Sequence, residues 1–156
     1  MVSIAVMPPQ QAATDPGEHA HPVVLRVSGG KPLRLTATLL AEGTSWSPRI
    51  PAWHEVSLFA GPGGAVALGI STFRKSAQET DVHRAEIFPG LDAALGALEA
   101  FDPTADLVTC IDAADPRVSS AVVALQAAAL RQQADGLTRQ WRGMLGELLY
   151  QLCLPA

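Results

Sequence analysis

Trp53–Ala60 (WHEVSLFA), Gly61–Gly64 (GPGG) and Ala65–Thr72 (AVALGIST) form the stretch that decides the fold. On either side of the glycine–proline cluster the larger apolar residues alternate. His54, Val56, Leu58 and Ala60 share one face of the first run, and Val66, Leu68 and Ile70 share one face of the second. A period of two is that of a strand with one buried face. Glycine supplies positive φ and proline presets a turn, so the cluster joins the two runs into an antiparallel hairpin.

Upstream of the hairpin, Leu33, Leu35, Ala37 and Leu39 alternate with Arg34, Thr36, Thr38 and Leu40, the pattern of a half-buried strand. Val23–Val27 is a shorter apolar run ended by the turn signal Ser28-Gly29-Gly30. Gly43–Pro51 is rich in serine and proline around Trp46 and reads as a loop. Downstream, Asp81–Phe88 is the next strand. No helical pattern separates these runs, which predicts an antiparallel β-meander of four to five strands over residues 23–88 and disfavours a parallel sheet.

Helices follow. After Pro89-Gly90, the residues Leu91, Leu95, Leu98 and Phe101 recur at helical spacing until Asp102-Pro103. Asp115-Pro116 offers an N-cap with proline at the first helical position, and Gly136 a terminator, which predicts a second helix to about Asp135. A third helix is expected from about Thr138, with Trp141, Leu145, Leu148 and Leu152 on one face. The expected fold class is therefore α+β, a meander followed by three helices packed on one face. Residues 1–22, interrupted by proline and polar after Val2–Met7, read as a flexible N-terminal arm ahead of a single domain over 23–156.

A chain of 156 residues is long enough to bury a core without disulfides or metals. Its apolar share of 48% with only 5% aromatics points to an alanine- and leucine-packed body. A net charge of −4 gives no general attraction for nucleic acid. Cys110 and Cys153 lack metal or redox spacing and are expected to be buried as small hydrophobes. No run reaches the roughly 18 apolar residues of a membrane span, and MVSIAVM lacks a basic leader region, so a cytoplasmic location is expected. No cofactor is expected either. The turn Ser28-Gly29-Gly30-Lys31-Pro32 has Leu25 where a phosphate loop needs glycine and Pro32 where it needs Ser or Thr, and no G-x-G-x-x-G follows a strand.

Charged chemistry is concentrated in Phe73–Phe88 (FRKSAQETDVHRAEIF), within a chain only 17% charged. If its second half is extended, Glu79, Asp81 and His83 share a face, and with His54 they are the candidate metal ligands. Their roots lie roughly 6.5–7 Å apart, so one ion would need a bulge to reach all three. Asp81, His83 and Glu86 are the candidates for acid–base catalysis. Ser71, His83 and Asp81 can be written as a triad, though the chain has no G-x-S-x-G elbow. Arg74, Lys75 and Arg84, with Trp53 to stack on bases, would make a surface for single-stranded nucleic acid; Glu79, Asp81 and Glu86 would repel its phosphates. The Val118–Leu130 helix carries two apolar stripes and needs cover on both sides. Val123, Leu130, Trp141 and Leu145 are accordingly the candidate interaction residues. The leading expectation is a non-enzymatic protein-binding or assembly domain, homodimeric or a subunit of a larger complex. The alternatives are a small metal-dependent or acid–base enzyme on the Glu79/Asp81/His83 face, and a single-strand nucleic-acid-binding sheet.

Overall fold

The computed structural model of the chain describes residues 19–108 and 114–154. Five strands, β1 (His21–Leu25), β2 (Leu33–Thr44), β3 (Ala52–Ala60), β4 (Val66–Arg74) and β5 (Val82–Phe88), form one sheet in the order β1-β2-β3-β4-β5. Every neighbouring pair is antiparallel, so the α+β meander is as the alternation predicts. The GPGG connection is a short 3-10 turn. Gly63 and Gly64 stand there at φ 68° and 79°, a region that residues with a Cβ rarely enter.

The sheet curls. A register shift between Leu39 and Ala41 bends β2, as a bulge does. The turn after β1 then reaches β5: Ser28 N donates to the His83 carbonyl at 2.9 Å, and His83 N donates to Ser28 Oγ at 2.9 Å. Leu25 folds over Gly69 on the concave side. A Cβ at Gly69 would lie 3.3 Å from Leu25 Cδ2 and 3.0 Å from Ser57 Oγ, so the crossing depends on a missing side chain.

Two helices, α1 (Leu91–Ala100) and α2 (Ser120–Cys153), cover the convex face. The core lies between them and the sheet: Ala41, Val56, Leu58, Leu68 and Ile70 meet Ala94 and Leu98 from α1 and Trp141, Met144 and Leu148 from α2. Gly43 admits α2 to the sheet, since a Cβ there would stand 3.0 Å from Met144 Cγ and 3.2 Å from Leu148 Cγ.

Among the described residues the expected three helices are two. Gly136 does not terminate a helix; it sits within α2, with no positive φ, where its bare backbone faces Ile50 Cδ1. The stripe Val123, Ala127, Leu130, Ala134, Leu137, Trp141, Met144 and Leu148 keeps its three-and-four spacing straight through Gly136. Packing of that stripe outweighs the roughly 1 kcal/mol that an interior glycine costs. The start also differs. Asp115 accepts from Arg117 N at 2.9 Å in a turn, and the N-cap is Ser119, whose Oγ accepts from Val122 N at 3.3 Å.

At 34 residues α2 is about 51 Å long, and its buried residues, Leu137, Trp141, Met144 and Leu148, all lie in its second half. The first half, Ser120–Asp135, leaves Leu125 71% and Val122 43% exposed. Of the expected arm, residues 1–18 lie outside the described residues, while His21 and Pro22 pair with Ala37 and Thr36 in β1. Cys110 also lies outside them, and Cys153 is exposed rather than buried. Among the described residues no helix is long and apolar enough to cross a membrane.

Candidate functional site

Sheet register builds a polar row on the concave face. Thr44 stands opposite Glu55, Glu55 opposite Ser71, and Ser71 opposite His83. Side chains directly opposite share a face, so four consecutive strands each contribute one group. Ser71 Oγ and His83 Nδ1 are 2.8 Å apart, a hydrogen bond whose direction follows the imidazole tautomer. Phe73 meets His83 edge-on at 5.8 Å and stacks on Trp53 at 5.5 Å. Trp53 Nε1 donates to Glu55 Oε1 at 3.5 Å. A cavity of about 500 Å³ opens beside the row, lined among others by Glu42, Thr44, Glu55, Ser57, Phe59 and Ser71.

The helix-covered face holds a different cluster. His54 is 0% exposed, with its ring edge-on to Trp141 at 5.2 Å and Phe101 at 5.8 Å. Neither imidazole nitrogen has a hydrogen-bond partner. Burial lowers its pKa to about 4; Arg84 adds to the lowering, while Asp106 and the nearby Pro103 carbonyl oppose it. A neutral imidazole always keeps one N–H, and among the described residues its only acceptor is the Pro103 carbonyl, too poorly placed for a hydrogen bond of normal geometry.

Beside His54, Asp106 ties the segment after α1 to the sheet. Arg84 Nη1 and Nη2 donate to its two carboxylate oxygens at 2.7 and 2.6 Å, and Thr72 Oγ1 donates at 2.7 Å. Arg74 Nη2 donates to the Asp106 carbonyl. The Arg84 hydrogen bonds hold the Asp106 carboxyl below its ordinary range, and Asp106 in turn raises Arg84. Arg84 also lies over the Phe101 ring, 5.5 Å from its centroid.

The residues singled out from sequence fall on both faces. Glu79 and Asp81 precede β5, which begins at Val82, so only His83 of that row is in a strand. Glu79 pairs with Arg74 at 3.6 Å, His83 faces the concave side, and His54 is buried under the helices. Among the described residues no group of three His, Cys, Asp or Glu is placed to hold a metal ion. Of the acid–base set, His83 is bonded to Ser71, whereas Glu86 stands opposite Leu68 on the helix side. Arg74 and Arg84 are engaged with Asp106, Lys75 Nζ donates to the Pro48 carbonyl at 2.9 Å, and Trp53 lies on the opposite face. Trp141 is buried and Leu145 packs against the core, while Val123 and Leu130 are half-buried on the first half of α2.

Asp106 is the site residue that sequence reading misses. Its one signal is indirect: Arg74 and Arg84 share the buried face of the sheet, where a guanidinium needs a carboxylate. Comparison with protein-family models, with curated proteins and with solved structures finds no match. Function is therefore argued from the geometry.

Proposed function

We propose that the protein is a non-enzymatic assembly domain that pairs with a second copy of itself through the first half of α2. The exposure of Leu125 and Val122 on a helix anchored by its other half carries this reading. From Ser119 to Leu130 the chain has no charged side chain, so this surface has no electrostatic basis for selecting an acidic or basic partner. Two copies related by a two-fold axis present the same alanine-rich face to each other, and small side chains let the helices approach closely while each Leu125 seats on the partner's alanines. Pairing along about 24 Å of helix, an uncharged stretch that ends at Arg131 and Asp135, covers on the order of 1,000 Å², the lower bound for a specific interface. Sedimentation velocity between about 1 and 100 μM is expected to show a monomer–dimer shift that Leu125→Glu abolishes. A strict monomer across that range, or a dimer indifferent to the substitution, refutes the proposal.

The Ser71–His83 hydrogen bond favours a second reading, an acid–base enzyme with Ser71 as nucleophile and His83 as its base. A serine-directed fluorophosphonate is its test. Labelling that disappears in both Ser71→Ala and His83→Ala supports it, and an unlabelled wild-type protein removes it.

A further inference from the structure

We propose that the two copies run antiparallel, an arrangement that rests on the self-association proposed above. The turn that opens α2 in one copy seats at the cleft between the Ser47–Pro51 loop and α2 of the other, where Arg117 pairs with Asp135 of the second copy. The second half of α2 is fixed to the sheet as far as Gln151, whose side chain accepts from Glu42 N at 3.2 Å and donates to the Glu42 carbonyl at 3.0 Å. The direction in which the first half projects is therefore set by the fold. Leu125, its most exposed large apolar residue, also stands at the middle of the uncharged stretch Ser119–Leu130. A two-fold axis placed there uses the whole stretch in both copies.

The same helix face is already occupied further along. Gly136 follows Leu125 by about three full turns and so faces the same way. A Cβ at Gly136 would stand 3.3 Å from Ile50 Cδ1, and the Ser47–Pro51 loop and α2 line a cleft of about 480 Å³ there. The loop is tied down, since Lys75 N donates to the Pro51 carbonyl at 2.8 Å and Lys75 Nζ to the Pro48 carbonyl at 2.9 Å. A parallel partner helix would have to continue through this loop. An antiparallel one does not, because the axis at Leu125 brings its first residue, Ser120, level with Leu130, just short of the cleft. Charge gives the same answer. In a parallel pair Arg117, Arg131 and Asp135 each meet their own copy, which like charge opposes. In the antiparallel pair Arg117, about two turns before Leu125, comes close to the level of Asp135, about three turns after it, within the reach of an arginine. The Arg117 side chain is 89% exposed and holds Asp115 of its own chain at 3.2 Å, while Asp135 forms no ion pair among the described residues.

Sedimentation velocity of the full chain tests the arrangement, together with pulsed electron paramagnetic resonance on a nitroxide at Arg142→Cys in a Cys110→Ser/Cys153→Ser background. Arg117→Glu and Asp135→Arg are each expected to weaken the dimer about tenfold, since both symmetry-related contacts turn repulsive. The two reversals combined in one chain are expected to restore it. Position 142 lies about 25 Å along the helix from Leu125, so the two labels of an antiparallel dimer stand about 50 Å apart, against less than about 20 Å in a parallel one. A monomeric wild-type protein overturns the self-association and this arrangement with it. A dimer that Leu125→Glu abolishes leaves the self-association standing and overturns the antiparallel docking in any of three cases: the label distance is short, neither single reversal weakens it, or the double reversal fails to restore it.

Discussion

His54→Leu exchanges a fully buried imidazole for an alkyl group, and its consequences divide cleanly by pH. Near neutral pH, removing a buried N–H whose one acceptor, the Pro103 carbonyl, is poorly placed returns up to about 1–3 kcal/mol. Losing two edge-on ring contacts, to Trp141 and Phe101, forfeits about 0.5–1.5 kcal/mol each, so the net change there is small. At lower pH the balance moves. The folded-state pKa of His54 is about 4, against 6.5 for the free side chain. The unfolded chain therefore takes up this proton first, and stability, complete above pH 6.5, declines as pH falls toward 4. At about 1.4 kcal/mol per pKa unit the full loss is about 3 kcal/mol, of which about 2 kcal/mol has occurred by pH 5. Urea denaturation followed by tryptophan fluorescence at pH 7.5 and pH 5 is the assay. The stability of His54→Leu relative to wild type should rise by about 2 kcal/mol between the two conditions. A difference that stays constant within about 0.5 kcal/mol would show that His54 is not held neutral by burial, and the reasoning would fail.

Gly136→Ala should stabilise the protein by about 0.5–1 kcal/mol in thermal unfolding, because alanine is the better interior helix residue and the flexible Ile50 tip can move from the new methyl. A comparable loss would instead mean that Gly136 breaks the helix. Gly43→Ala should cost about 1–3 kcal/mol in urea denaturation, since its Cβ would collide with Met144 and Leu148 on a packed interface. Asp106→Asn should cost about 1–3 kcal/mol at pH 7, the lower end being favoured because the Arg84 side chain is 40% exposed. The lowered Asp106 pKa means that the wild-type advantage holds above the usual carboxylate range and disappears as pH falls through the folded value, which acid titration of both proteins checks.

The hairpin, the meander and α1 are legible because each rests on local signals: alternation, a glycine–proline turn, and i, i+4, i+7 spacing. Gly136 misleads because a glycine after an apolar stripe looks the same whether it caps a helix or admits a neighbour such as Ile50. Its backbone angle separates the two, and sequence carries no angle. Ser71 and His83 can be picked as types, but their meeting depends on the register of β4 with β5, which emerges from packing of the whole sheet. The Glu79/Asp81/His83 row assumes extended chain from Glu79, three residues before β5 begins at Val82, so its first two members lie outside the strand. Asp106 sits in a connection with no periodic pattern, so nothing local marks it as the group that meets Arg74, Arg84 and Thr72 at once.

Gln151 grips both backbone groups of Glu42 across 109 positions of sequence. During synthesis the sheet is complete once Phe88 has been made, and from Ala100 until α2 follows, Val56, Leu58, Leu68 and Ile70 have only α1 as cover. The side chains that finish their burial, Trp141, Met144 and Leu148, emerge among the last residues of α2. Contacts this distant close late and slowly. The nascent chain thus passes through a stage with a formed sheet and an open apolar face, the condition in which aggregation and chaperone capture compete with folding.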